Sequence, residues 1–161
     1  MKTVLSTVIL LAIVAFSTGF RPIAVSGAES LALGGYDPVM LKKEGKLAKG
    51  AAYIYVSWQG AEWRFVTQQN MQDFLESPED YSPQFGGYCA ACIAGLTDRA
   101  TTAQPGIGDP TSFFVYQGKI YVFQNEGLRK RFRESPEKFI ASAEQHWNRW
   151  RQEGKIDAAN E

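Results

Sequence analysis

The chain has 161 residues, of which 45% are hydrophobic, and its 17 basic and 17 acidic residues cancel to a formal net charge of +0. That length suits one domain with a core of its own. The only basic block is Arg129-Lys130-Arg131 with Arg133 close by, the pattern of a solvated helix face, so no nucleic-acid partner is expected.

The N-terminus carries a positive charge at Lys2, then an apolar or small run of 13 residues, Val4–Phe16, and no acidic residue before Glu29. This is the pattern of a secretory signal peptide. The run is shorter than the ~20 residues that span a bilayer, so an uncleaved anchor is the weaker alternative and no stable membrane span is expected after signal removal. Cleavage is expected after Gly27 or Ala28, making 1–28 the signal, 29–153 the domain and 154–161 a frayed tail. No cysteine lies near the cut, which argues against a lipid anchor. The remainder has 15 basic and 17 acidic residues, 15 − 17 = −2, once Lys2 and Arg21 are removed. The chain is therefore expected to be exported, periplasmic or secreted, into a compartment where two cysteines tend to pair.

Further along, Asp37-Pro38 reads as a turn opening, with Asp37 as its cap. Tyr55–Tyr81 then aligns without a gap on Phe113–Phe139 at an offset of 58, with eight of 27 positions identical, including Gln59/Gln117, Gly60/Gly118, Phe74/Phe132 and Ser77-Pro78-Glu79/Ser135-Pro136-Glu137. Self-similarity of this kind governs the architecture. Each copy reads as two strands joined at Gln-Gly, a helix capped by Thr67 or Asn125, and a new helical start at Ser-Pro-Glu. Met71, Phe74 and Leu75 form the apolar stripe of the first helix, and Leu128 and Phe132 that of its counterpart. The second copy runs on into a C-terminal helix from Pro136 to about Glu153. The expected class is α+β, with repeat units 53–81 and 113–153 sharing an antiparallel sheet or packing as a pseudo-symmetric pair. Between them, 82–112 reads as a long glycine- and proline-rich insertion.

That insertion holds the only two cysteines, Cys89-Ala90-Ala91-Cys92. Three readings remain open. A disulfide would rigidify the turn, with modest stabilisation because the loop is short. A soft-metal site would use both thiolates, most simply for Cu(I), with Met40 and His146 as possible further ligands. A thiol–disulfide oxidoreductase would need the β-α-β context that is missing here. Covalent haem is disfavoured because Ile93 stands where histidine would be required. No nucleophile–base arrangement can be read, and no catalytic residue is assigned. Tyr36, Tyr88 and Trp63 are candidates to line a small-ligand pocket beside the long loop.

These residues resemble the YHS-domain family over nearly the whole of 29–153. Gly35-Tyr36-Asp37-Pro38-Val39 is similar to the family's opening G-Y-D-P-V, Trp63-Arg64-Phe65 to its Y-R-F strand, and Ser77-Pro78-Glu79-Asp80-Tyr81…Pro83-Gln84-Phe85-Gly86-Gly87-Tyr88-Cys89-Ala90 to its core motif. The resemblance implies metal binding, copper above all, with a metal donor or acceptor protein as partner. It also implies a family position for Cys89. The chain departs from the metal-handling form at Met40, where that form has cysteine, and at Phe65–Asn70, which offer no thiol. Cys92 does not match the usual stand-alone form. Oligomeric state is left open.

Overall fold

The structure, a computed structural model, describes residues 19–97 and 105–157. The apolar run Val4–Phe16 lies outside the described residues, as do 98–104 of the loop and 158–161 of the tail.

The fold is α+β. Strands β1 (Val25–Ser26), β2 (Leu31–Ala32), β3 (Ala51–Trp58) and β4 (Ala61–Phe65) form a sheet in the order β1-β2-β4-β3, and β5 (Asp109–Tyr116) pairs with β6 (Lys119–Phe123) in a second sheet. The helices are α1 (Pro38–Glu44), α2 (Gln68–Glu76), α3 (Pro78–Tyr81), α4 (Ala90–Ile93), α5 (Glu126–Arg133) and α6 (Pro136–Gln152). Both hairpins, β3–β4 and β5–β6, are antiparallel and lie in separate sheets, and the first sheet is extended by β2, which runs parallel to β4 through Leu31 and Glu62. A two-residue strand is too short to show the alternation by which strands are read from sequence.

Both hairpins turn on the same chemistry. Gln59 and Gly60 have φ of 50° and 71°, Gln117 and Gly118 of 49° and 72°. Two positive φ values in a two-residue loop match the twist of the strands, and glycine takes the second without strain. Each hairpin also skips residues at the same place, between Ala51 and Tyr55 and between Asp109 and Phe113. Thr67 Oγ1 accepts from Asn70 N at 3.1 Å and Asn125 Oδ1 from Leu128 N at 3.0 Å, capping α2 and α5. Ser77 and Ser135 share one backbone conformation (φ −151°, ψ 69° and φ −152°, ψ 68°), but neither makes a side-chain cap. Pro78 and Pro136 start α3 and α6 unaided by it.

The stretch 82–112 differs from the loop insertion that was expected. Its opening is built like the turn at Leu33–Gly35. Leu33, Gly34 and Gly35 have φ of 49°, 56° and 79°, and Phe85, Gly86 and Gly87 of 56°, 63° and 85°. Tyr36 N donates to Leu33 O and Tyr88 N to Phe85 O, both at 3.1 Å. Asp37 N donates to Ala48 O and Cys89 N to Gly106 O, both at 2.9 Å, and Gly50 N to Gly35 O at 2.9 Å matches Gly108 N to Gly87 O at 3.0 Å. A short helix follows each turn, α1 after Asp37 and α4 after Cys89.

Two apolar clusters result, with β6 as the wall between them. Ile120 and Val122 face Trp63, Phe65, Phe74, Val39 and Leu41, while Tyr121 and Phe123 face Phe132, Trp147, Trp150 and α4. Phe74 is ringed by Trp58, Trp63 and Phe65 at 5.8, 5.0 and 5.2 Å, and Phe132 by Tyr121, Phe123 and Phe139 at 5.8, 5.0 and 5.8 Å. Leu75, expected in the apolar stripe of α2, is instead 48% exposed, and Phe74 is the residue of that helix that is fully buried. Burial foremost, with Glu144 and Tyr116 adding to it, pushes the Tyr121 phenol up to about 12.

The ends of the described chain are part of this core. Ile23 and Ala24 are buried, Tyr88 Oη donates to Arg21 O at 3.0 Å, and Ala24 N donates to Gly86 O at 2.8 Å. A Cβ on Gly86 would overlap the Pro22 carbonyl oxygen. The Phe20 ring packs edge-on against Tyr88 and Trp150. Residues 20–26 pack on the described fold, and a cut after Gly27 or Ala28 would remove β1 and these contacts. At the other end, Phe20 N donates to Lys155 O at 2.8 Å, Asp157 N donates to Phe20 O at 2.9 Å, and Ile156 is buried, so residues 155–157 of the expected tail are held.

Candidate functional site

Cys89 occupies the N-cap of α4, where its Sγ accepts from Cys92 N at 3.2 Å. One helical turn brings the two Cα atoms to 5.2 Å, and the sulfurs are joined in a disulfide. The pair is enclosed: Cys89 is 0% exposed and Cys92 5%, with Ala90, Ala91 and Ile93 at 0% between and beside them. The small side chains of Ala90 and Ala91 let α4 lie close against α5, α6 and β6. Gln124 Oε1 stands 3.2 Å from Cys92 Sγ. Gln124 itself is exposed, and its amide rests on Gly106.

His146 does not join the pair as a ligand through Nδ1, which lies 2.6 Å from Ile93 O. Ser142 Oγ donates to Ala94 O at 3.1 Å and Arg131 to Leu96 O at 3.1 Å. Together these side chains satisfy the carbonyls left open at the end of α4. Met40 lies on α1, which packs on α2, α3 and β6, whereas α4 packs on α5, α6, β6 and the turn at Gln84–Gly87. Among the described residues no group of three or more His, Cys, Asp or Glu side chains could hold a metal ion.

The aromatic candidates do not meet in one pocket. Trp63 is 1% exposed in the first cluster, with Nε1 donating to Trp58 O at 3.1 Å. Tyr88 is 2% exposed in the second. Tyr36 is half-buried beneath Lys49 Nζ, 3.9 Å from its ring centre. An open cleft of about 400 Å³ lies elsewhere, lined by Trp58 and Glu76–Asp80.

The residue whose weight the sequence concealed is Asp37. Its carboxylate is 0% exposed, and one oxygen accepts from Val39 N and Met40 N at 2.8 and 3.1 Å. The other accepts from Val66 N at 2.8 Å and Asn70 Nδ2 at 2.7 Å. It therefore ties the first glycine turn to α1, to the end of β4 and to α2. Only its short reach to Val39 N and Met40 N is a local cap. The long-range half needed the fold to bring Val66 and Asn70 beside it.

No helix of the described residues is long and apolar enough to cross a membrane. No protein-family model, no curated protein and no solved structure matches the chain.

Proposed function

We propose that this is an exported YHS-like module that binds a partner or small ligand and catalyses nothing, and that Cys89–Cys92 is its structural disulfide. One observation carries the reading. Cys89 stands in the second glycine turn where Asp37 stands in the first, at the same hydrogen-bonded position after the same Gly-Gly-Tyr. In the first turn a buried carboxylate with four donors fixes the helix to its surroundings. In the second, Leu128 and Gln124 stand where Asn70 and Val66 stand, at 128 − 70 = 58 and 124 − 66 = 58, and the side-chain donor is gone. A covalent bond from Cys89 to Cys92 instead closes the turn onto the start of α4 itself. On this view the chain is a tandem pair of one unit, each with its own way of locking the turn. The motif likeness in Gly35–Val39 and Pro83–Ala90 supports the family assignment, and the apolar run near the N-terminus supports export.

Soft-metal binding is the second reading. It is favoured by two sulfurs and the Gln124 amide oxygen gathered at one place. Reduced chain loaded anaerobically with Cu(I), alongside the Cys89→Ser/Cys92→Ser variant, separates the two. The structural reading expects equal, substoichiometric copper in both. Copper at about one per chain, lost in the variant, would transfer the assignment to metal handling by the thiolates.

A further inference from the structure

We propose that Cys92, and not Cys89, is the sulfur at which an external thiolate opens the disulfide, with Gln124 as the cover over it. The proposal rests on the pair being a closed disulfide in the native chain, as above.

The two sulfurs differ in what stands between them and solvent. Cys89 is 0% exposed, its N–H bonded to Gly106 O and its backbone bridged to Val122 of the wall strand. Cys92 is 5% exposed, and the side chain that touches its sulfur is the exposed Gln124. A glutamine on the surface swings by rotamer change, so the approach to Cys92 Sγ opens without disturbing the core.

The leaving side is also prepared at Cys89. Thiol–disulfide exchange attacks one sulfur and expels the other as a thiolate, and the step is easier where that thiolate is stabilised. Cys92 N already donates to Cys89 Sγ at 3.2 Å. In the first unit the same position holds a buried carboxylate on backbone N–H groups, at Asp37. The loop therefore suits an anion at this point. Cys92 Sγ has the Gln124 amide oxygen, which offers nothing to an anion but accepts from a thiol. After reduction the Cys92 thiol would donate to Gln124 Oε1, and Cys89 would keep its amide donor.

The reaction balances with an external dithiol as reductant. Its first thiolate attacks Cys92 Sγ and forms a mixed disulfide there; the S–S bond to Cys89 breaks, and Cys89 leaves with the electron pair. The second thiolate of the reductant then closes on the first sulfur and releases Cys92. The chain gains two electrons and two protons, and the dithiol becomes a cyclic or paired disulfide. The polarity is the reverse of a helix-start dithiol whose first cysteine is the nucleophile.

The test uses the oxidised full chain and a monothiol, glutathione, so that the mixed disulfide is trapped. Early samples are acid-quenched and alkylated, and fragment-ion spectra locate the two labels within Cys89–Cys92. Glutathione on Cys92 and alkyl on Cys89, in a ratio of about ten to one or more, is the expected result. Glutathione on Cys89, or equal labelling, overturns the proposal while leaving the structural reading intact. Finding both cysteines free before reaction would instead overturn the structural reading. Gln124→Ala should speed opening severalfold with the same labelling, and an unchanged rate would remove Gln124 as the cover.

Discussion

Asp37→Ala is expected to cost about 3–5 kcal/mol, the range for removing a charged hub whose partners stay buried. Four donors converge on its two oxygens, three of them backbone N–H groups that alanine would leave without an acceptor. An ordinary N-cap, by contrast, is worth about 1 kcal/mol. The excess expected here comes from Val66 and Asn70, which join α2 to the glycine turn across 66 − 37 = 29 residues or more. A fall in thermal midpoint of roughly 10 °C is the corresponding readout. Asp37→Asn keeps the shape but turns an amide toward donors, and a loss of about 2 kcal/mol is expected of it. If alanine cost no more than an exposed cap, the hub description of Asp37 would be wrong.

Phe132→Ala is the second large effect, and Phe74→Ala its counterpart. Each is 0% exposed and touches three rings, so each truncation should cost about 3–5 kcal/mol. Leu75→Ala, one residue along, should fall within about 0.5 kcal/mol because Leu75 is exposed. Both phenylalanine variants should unfold in a single transition. The reason is β6: its Ile120 and Val122 belong to one cluster and its Tyr121 and Phe123 to the other, so neither cluster opens alone. Urea unfolding followed by tryptophan emission and by circular dichroism checks this. Two separated transitions would show that the halves are independent.

Much of the fold could be read from residues. Gln-Gly turns, Thr67 and Asn125 caps and Ser-Pro-Glu starts carry local chemistry, and local chemistry is visible in one sequence. What escaped was whatever depends on distant partners. The kinship of Leu33-Gly34-Gly35-Tyr36 with Phe85-Gly86-Gly87-Tyr88 sits at an offset of 85 − 33 = 52, not 58, so an ungapped comparison passes over it. The segment from the second glycine turn to β5 is six residues longer than the one from the first turn to β3, by 58 − 52 = 6. The strand from the N-terminal segment was hidden for another reason. Val25–Ser26 lies beside a small-residue stretch that resembles a cleavage site, and two residues cannot display a strand period. At the candidate site, the cysteine spacing announced a pair but not its burial. His146 suggested a ligand because histidine often is one, whereas its contact with Ile93 O depends on how α6 crosses α4. Gln124 gave no signal, since an exposed glutamine next to a strand is commonplace.

The most direct measurement of the central claim is the unfolding free energy of the oxidised chain against Cys89→Ser/Cys92→Ser, both in chelator. A structural disulfide closing so short a loop predicts a loss of about 2 kcal/mol in the variant, with the same denaturant slope. Equal midpoints in the two proteins would contradict the account, for the bond would then lock nothing and the sulfurs would have to be kept for another purpose.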